Sequence, residues 1–514
     1  MTTNDDLLDA LVARARRRLH DESDMPPGEA DLAPLVVRAA ACALAPDTVD
    51  APRHDGTANV PPPYRVSDWP RLATQAAAWL GCHRFALAEA LERDGRRHMT
   101  KAATLALVAR HTARLAGLTA DLLTSHPLAP PVVFIDHLPD VPEPVARHAL
   151  IFEAWPHATH EVWPLLVDAI EANAAGSLRG QAIAAHASWL DDDLRLRRAL
   201  WYDAAADRLV ETDLDPPQPI LSAHLLAGPP GDERGWHATW SARCAGRGVA
   251  VANPGAAAAL ADDKWATYHC WRHAGISTPR TWLIAREASP NERRRTCVEA
   301  ARPPRAAAGA QRFVVKPRHG TEARGVTVHP ADADELATAV AEIADEDDAL
   351  VQEYRGGLRW RDDDGTLLSA TLRLHVAMDG GGMPCVESGY VHVAGDASSP
   401  IASLGRYGRA RPIVRERLYI VAADGGARAL QEDEAVAMAA VARDALHALA
   451  SEGEPLRLAG LDLVAEADAA GHVLPFALEA NAQPAGLGHS RFLAPGWQEA
   501  GLPGVSVVVW EGRE

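Results

Sequence analysis

Lysine is almost missing from this sequence. Of 51 basic residues 48 are arginine, and only Lys101, Lys264 and Lys316 break the habit in 514 residues. Cysteine is scarce too: Cys42, Cys82, Cys244, Cys270, Cys297 and Cys385 stand apart with no CxxC spacing. That argues against a disulfide framework or a cysteine-based zinc site and suits a reducing compartment. No apolar run approaches the ~20 residues of a membrane-spanning helix, and the opening MTTNDDLLDALVARARRR lacks the apolar stretch of a signal peptide. A cytoplasmic protein is expected. Positive charge is outnumbered, 51 Lys+Arg against 69 Asp+Glu for a net −18, so neither nucleic acid nor an anionic membrane is an expected partner.

What is present is ordinary globular composition, 47% hydrophobic and 23% charged, in a chain too long for one core. Residues 1–130 show helical spacing at Leu7, Leu8, Leu11 and Val12 and again at Leu105, Val108, Leu115 and Leu118. Pro/Gly-rich breaks fall at 25–34 and 50–65. PVVFID (131–136) is the first convincing strand, and 198–213 fits a hairpin. From about 217 the texture becomes α/β: a strand over 219–228, a helix, a short buried strand over 248–254, a helix over 256–274 closed by Gly275, and a strand over 277–284. This predicts a small βαβ unit with a parallel pair.

Three hairpins carry the polar groups of interest. RFVVKPRHGTEARGVTVHP (312–330) delivers Lys316 from an apolar strand into a turn holding His319, Gly320, Thr321 and Gly325. It lacks the GxxxxGK[ST] of a Walker A loop, yet glycines in such a turn let backbone N–H groups approach an anion, and lysine is a compact phosphate ligand. LVQEYRGG (350–357) ends a strand with Gln352, Glu353 and Tyr354. In 368–393 a period of two places Leu372, Leu374 and Val376 on one face and Thr371, Arg373 and His375 on the other. In 458–484, Asp462 stands on one strand, with Glu479 and Asn481 at i and i+2 on the returning one. A carboxylate opposite a Glu-x-Asn pair supplies hard oxygen donors suited to Mg²⁺ completed by water and phosphate. Acidic groups among Leu461, Leu463 and Leu478 are costly unless paired or metal-bound.

The blocks GVAVANPG…DDKWATYHCWRHAGISTPRTWLI, FVVKPRHGTEARGVTV, LVQEYR, TLRLHV and LDLV…LEANAQP occur in that order over roughly 217–514. In this they resemble the ATP-grasp superfamily, most of all its glutathione-synthetase-like carboxylate–amine (or carboxylate–thiol) ligases. The fold the resemblance implies is α/β. A largely helical N-terminal region (1–215) would precede a preATP-grasp α/β unit (216–262) and an ATP-grasp domain of two α+β subdomains (263–514). It implies ATP and two Mg²⁺ (or Mn²⁺) as cofactors, small-molecule carboxylate and amine substrates, and an acyl-phosphate intermediate with ADP released. Lys264 and Lys316 would contact the nucleotide phosphates, and His319, Gly320, Thr321 and Gly325 belong to a loop closing over them. Gln352, Glu353 and Tyr354 would line the adenine pocket, and Arg373 would hold the transferred phosphoryl group. Asp462, Glu479 and Asn481 would be the metal ligands, Glu479 bridging.

The sequence departs from the family at the ribose. Thr371 stands two before Arg373 where many relatives have an acid, and Asp362, Asp363 and Asp364 are alternatives. Arg406, Arg409 and Arg411, among the glycines of 403–413, fit either a carboxylate-recognising loop or a solvated one. The HxxH spacing of His157 and His160 has no third ligand at a readable spacing and fits a polar surface better than a metal site. Two other readings stay open. One is a small-molecule kinase on the same scaffold; the other is a nonenzymatic ATP-binding or scaffold protein. Residues 1–215 could select substrate, dock a carrier protein or pair two copies in a homodimer.

Overall fold

The computed structural model describes residues 130–483 apart from 131, 136–146, 154–156, 175–179, 228–232, 303–311, 321–322, 379–381, 423–424 and 452–455. The chain divides into two units, Met1–Pro131 with Leu404–Arg409, and Val132–Ser403 with Ala410–Glu514. The helical spacings and Pro/Gly breaks read in 1–129 lie outside the described residues.

The second unit begins with a seven-stranded sheet in the order β1-β5-β4-β3-β2-β6-β7. Its strands are β1 (Val132–Ile135), β2 (Arg147–Phe152), β3 (Gln181–His186), β4 (Arg195–Asp203), β5 (Arg208–Pro219), β6 (Ser222–Ala227) and β7 (Ala250–Val251). Strand β2 pairs in parallel with β3 and β6, and β6 with β7. Strand β4 runs antiparallel to β3 and β5. Helix α1 (His157–Ala174) packs Val162, Leu165, Leu166 and Ala169 on one face against Leu150, Phe152 and Ala184. Helix α2 (Glu233–Gly246) packs Trp236, Trp240 and Cys244 on the other against Ala149, Ile151 and Leu225. The expected strand at 131–136, the hairpin over 198–213 and the parallel pair are all present.

The reading of 1–215 as largely helical is not met in its described part. There, five strands accompany one α-helix, and β5 runs unbroken past the boundary expected at 215/216. The reason is two-sided burial. All six residues of β2, RHALIF, are buried, so it reads as an apolar run without the alternation that marks a half-exposed strand. The single helix expected over 256–274 is two, α3 (Gly255–Asp262) and α4 (Lys264–His273). Asp263 breaks it, leaving the helical region to accept hydrogen bonds from the N–H groups of Trp265 and Ala266 as the N-cap of α4.

The next sheet is wholly antiparallel, in the order β10-β9-β11-β8, from β8 (Thr281–Ile284), β9 (Arg312–Pro317), β10 (Thr327–Pro330) and β11 (Ala349–Glu353). Helices α5 (Pro290–Ala300) and α6 (Ala333–Ile343) cover one face, burying Cys297, Leu336 and Val340 against Phe313, Val315 and Val351. The third sheet is branched. Strand β13 (Leu367–Met378) pairs along one edge with β14 (Pro384–Val393) and along the other with β12 (Leu358–Arg361) and then β18 (Leu458–Ala467). Strand β15 (Arg409–Arg411) precedes β16 (Leu418–Val421) and β17 (Ala427–Ala429), which extend the β12 side. Strand β19 (Val473–Asn481) closes the hairpin with β18. Leu372, Leu374, Val376, Leu461 and Leu463 lie in one core with Met438, Ala442 and Leu446 of α7 (Glu432–Ala450) and with Trp271 of α4. The other face of these strands carries the polar residues.

One side chain ties the first sheet to this hairpin. Asn253, 2% exposed and two residues past β7, donates from Nδ2 to the carbonyls of Leu458 and Ala482 (2.8 and 2.5 Å). Its Oδ1 accepts from the N–H groups of Arg457 and Leu458 (3.0 and 3.2 Å). Among the described residues no helix is long and apolar enough to cross a membrane, and Cys244, Cys270, Cys297 and Cys385 form no disulfide.

Candidate functional site

Strand register assembles the polar face row by row. Arg373 lies opposite Tyr390 on one side and Asp462 on the other, and Asp462 lies opposite Glu479. One row on, His375 is flanked by Ser388 and Gly460, and Gly460 faces Asn481. One row back, Thr371 faces His392. Residues 89 apart in sequence, Arg373 and Asp462, thus become neighbours. A bulge sharpens the arrangement: Leu463 pairs with Ala477 while Asp462 pairs with Glu479, so Leu478 has no opposite number. Such an insertion re-aims the adjoining side chain, here Glu479.

The guanidinium of Arg373 donates two hydrogen bonds to Asp462, Nε to Oδ1 and Nη2 to Oδ2, each 2.7 Å. The pair is nearly buried, with side chains 11% and 9% exposed. Burial opposes the Arg373 charge, but Asp462 more than offsets it, and the pKa stays well above the ordinary arginine value. Lys316 at the end of β9 is buried, and burial pulls its pKa down to about 8, the negative charges of Glu479 and Asp462 resisting and Lys264 assisting. Lys264, the first residue of α4, donates from Nζ to the carbonyl of Gly320 at 2.5 Å and stands 4.0 Å from Glu479 Oε2. Asp262 beside it is raised to about 6 by burial, against the pull of Lys264.

The turn after β9 is clamped at its base. Arg318 spans two carboxylates, with Nε and Nη2 on Asp263 (2.9 and 2.6 Å) and Nη1 on Asp348 (2.9 Å). His319 donates its N–H to Asp347 at 2.7 Å and sets Nδ1 3.1 Å from the same carboxylate. Gly325 turns the chain at φ +67°, a conformation that favours glycine. Thr321 lies outside the described residues.

On β11, Leu350 is opposite Lys316, so alternation puts Gln352 on the Lys316 face and Glu353 on the other. Gln352 donates from Nε2 to Thr281 Oγ1 at 2.9 Å. The Glu353 carboxylate is held by Arg355, which also reaches Glu466. Tyr354 donates its hydroxyl to the carbonyl of Pro400 at 3.2 Å. The Gly-Gly step that follows is steric: a Cβ on Gly357 would lie 2.7 Å from the carbonyl oxygen of Ala465.

The structure therefore brings Lys264, Gly320, Lys316, Arg373, Asp462 and Glu479 into one electrostatic neighbourhood, with Asn481 one row away. Gln352 shares a sheet face with Lys316, while the side chains of Glu353 and Tyr354 are engaged elsewhere. Asp362, Asp363 and Asp364 form the turn between β12 and β13, with Asp363 paired to Arg417. Arg411 is in the same unit as the site; Arg406 and Arg409 fall in the other. His157 and His160 stand in the first turn of α1, with side chains outside the described residues. Arg318, Asp263, Asp347 and Asp348 escaped the sequence reading, because nothing local says that two acids from two other segments converge on Arg318 and a third on His319. Among the described residues no three His, Cys, Asp or Glu side chains cluster to hold a metal. The donor set here is two carboxylates and an amide, all hard oxygen, which fits Mg²⁺ completed by phosphate and water.

No protein-family model matches the chain, and no curated protein matches it. Among solved structures it is similar to D-cycloserine synthetase DcsG, at 18% identity and a TM-score of 0.40 over 66% of this chain and 92% of that one. It is similar to D-alanyl-alanine synthetase A from Vibrio cholerae at 12% identity and a TM-score of 0.42, over 71% of this chain and 96% of the other. Similarity to the VanG D-Ala:D-Ser ligase from Enterococcus faecalis runs at 14% identity and a TM-score of 0.42, over 71% and 98% of the two chains.

Proposed function

We propose that the chain is an ATP-dependent ligase that joins a carboxylate to an amine through an acyl phosphate, releasing ADP and phosphate. The observation that carries this reading is the row Arg373–Asp462–Glu479, flanked by two of the three lysines in the sequence. Lys264, Lys316 and the loop from His319 to Gly325 would receive the triphosphate. Gln352, on the Lys316 face, and the backbone at the end of β11 would meet the adenine, the side chains of Glu353 and Tyr354 being taken by Arg355 and Pro400.

Asp462, Glu479 and Asn481 are the residues that would hold Mg²⁺ (or Mn²⁺), and ions bound there would supply charge neutralisation to the polyphosphate. The rest falls to the chain. Arg373 exchanges Asp462 for the transferred phosphoryl group, keeping a bidentate partner in both states. The substrate carboxylate oxygen attacks the γ-phosphorus in line and the bond to the β-phosphate oxygen breaks. Lys316 and Arg373 stabilise the charge spread over the equatorial oxygens. The amine nitrogen then bonds to the acyl carbon, the bond from that carbon to the phosphate oxygen breaks, and inorganic phosphate leaves. The turn pinned by Arg318 and Lys264 would keep water from the acyl phosphate first.

The test is ADP release with Mg·ATP across pools of amino acids and small acids, singly and in pairs, with mass spectrometry of products. ADP formed only with a pair, beside a mass equal to their sum minus water, is the expected result. A gain of about 80 Da on one substrate, the mass of a phosphoryl group, would replace the ligase reading with a kinase.

A further inference from the structure

His392 is a polar-face group that the reaction as described leaves unused. His392 on β14 is buried, 7% exposed, and its Nδ1 has no hydrogen-bond partner. A buried imidazole nitrogen left unpaired is costly in a folded protein. The ring is held edge-on to Tyr390, with centroids 4.9 Å apart, and lies opposite Thr371. Arg373 is thus its diagonal neighbour across β13 and β14, a separation of about 7–8 Å in an antiparallel pair. Arg373 and Glu479 are also the charged groups that act on it.

The other functional groups near that point are matched to anions. Lys264, Lys316 and Arg373 offer only donors. The carboxylates of Asp462 and Glu479 are the ones assigned above to Mg²⁺, and Glu479 lies beside Lys264. An amine approaching an acyl carbon needs the opposite: a neutral acceptor for an N–H that leaves the nitrogen lone pair free. Burial, and then Arg373, hold the His392 pKa well below the ordinary histidine value, so the imidazole keeps a lone pair on offer. With the phosphoryl group on Arg373, the acyl carbon would lie within reach of its diagonal neighbour His392.

We propose that His392 positions the attacking amine, Nδ1 accepting a hydrogen bond from one of its N–H groups, an assignment that rests on the ligase reading. The amine nitrogen bonds to the acyl carbon and the bond from that carbon to the phosphate oxygen breaks. The N–H proton released as the adduct collapses passes to the departing phosphate, and the N–H held by His392 stays on the amide nitrogen.

The experiment separates the two halves of the reaction. Enzyme with Mg·ATP and a fixed pool of amino acids and small carboxylic acids is assayed for amide products and, with hydroxylamine added, for hydroxamates, which report the acyl phosphate through a nucleophile small enough to need little positioning. His392→Phe keeps the ring against Tyr390 and removes the acceptor. It is expected to leave hydroxamate formation within about twofold and to lower amide formation about tenfold, the size of one lost hydrogen bond, through the KM for the amine. His392→Asn returns an acceptor near the place of Nδ1 and recovers most of the loss; His392→Gln, which puts its amide near Nε2, does not. Equal loss of both products in His392→Phe, or no loss of either, overturns the assignment, and if that variant does not fold, Asn and Gln variants of equal activity overturn it. Absence of hydroxamate with wild-type enzyme would instead refute the ligase reading, whatever stands at 392.

Discussion

Removing the Asp462 carboxylate should cost more stability than removing its partner, and removing both should cost least. The two 2.7 Å bonds put opposite charges about 4 Å apart, an attraction of about 4 kcal/mol at an effective dielectric near 20. In Asp462→Ala the guanidinium of Arg373 stays buried on a face that also holds Lys316 and Lys264, with the more distant Glu479 as its remaining opposite charge, and breaking a buried pair in this way costs about 3–5 kcal/mol. In Arg373→Met the carboxylate keeps the attraction of Lys316, so the loss should be nearer 1–3 kcal/mol. Arg373→Met with Asp462→Leu strands no charge and should lie within about 1 kcal/mol of wild type. Urea unfolding followed by tryptophan fluorescence reads all four proteins and closes the double-mutant cycle. A double variant as unstable as the sum of its single variants would refute the reasoning, since the two residues would then not be coupled. All three variants should lose ADP formation, which separates the stability of this row from its use.

Glu479→Gln keeps shape and loses charge; carboxylate-dependent ADP release should fall about a hundredfold or more, and full activity would remove Glu479 from the metal set. Lys316, with its pKa lowered to about 8 by burial, is charged in the free enzyme below that pH and neutral above it. The kcat/KM for Mg·ATP should accordingly fall about tenfold per unit above pH 8, and a flat profile to pH 9.5 would exclude the lysine. In Lys316→Arg that fall should vanish while the rate drops at every pH, because a planar fork does not replace a point charge. His224 on β6 and His237 on α2 are buried against the seven-stranded sheet, and burial lowers both to about 4. A depressed histidine keeps the fold stable above its unfolded pKa of about 6.5 and withdraws that stability as pH falls towards 4, by up to about 3 kcal/mol each. His224→Leu should flatten the loss in urea midpoints between pH 6.5 and 4.5; an unchanged slope would show that the loss comes from other groups.

The legible parts of the sequence were those whose signal is local. Period two across 371–376 correctly separated the core face of β13 from the face of Arg373, and the i, i+2 spacing of Glu479 and Asn481 correctly put them on one side of β19. The habit of writing cations as arginine singled out Lys264 and Lys316, and both lie where charge converges. What escaped depends on register between distant segments. The sequence could not say that Asp462 faces Arg373 and not Thr371, nor that Arg318 finds Asp263 and Asp348. The unpaired Leu478 looks like any apolar strand residue, although its bulge sets the aim of Glu479. Strands β2 and β3 were passed over because burial on both sides erases alternation, and the helix over 256–274 was read through Asp263 because a capping acid resembles a surface acid until the backbone turns there.

Asn253 bears on how this protein can be divided. Its four hydrogen bonds run from the end of the first sheet to the backbone of residues 457, 458 and 482, the two ends of the hairpin that bears Asp462 and Glu479. A gene fragment starting at 263 would encode every residue assigned to nucleotide and metal, yet would leave two carbonyls and two N–H groups of that hairpin without the partner that closes it. The part of the chain from 263 onward is therefore not an exchangeable cassette. Recombination with a relative, or the building of chimaeras with altered substrate choice, should keep the asparagine and the hairpin from the same parent, and a crossover is better tolerated upstream of β7 than at the helix that begins with Lys264.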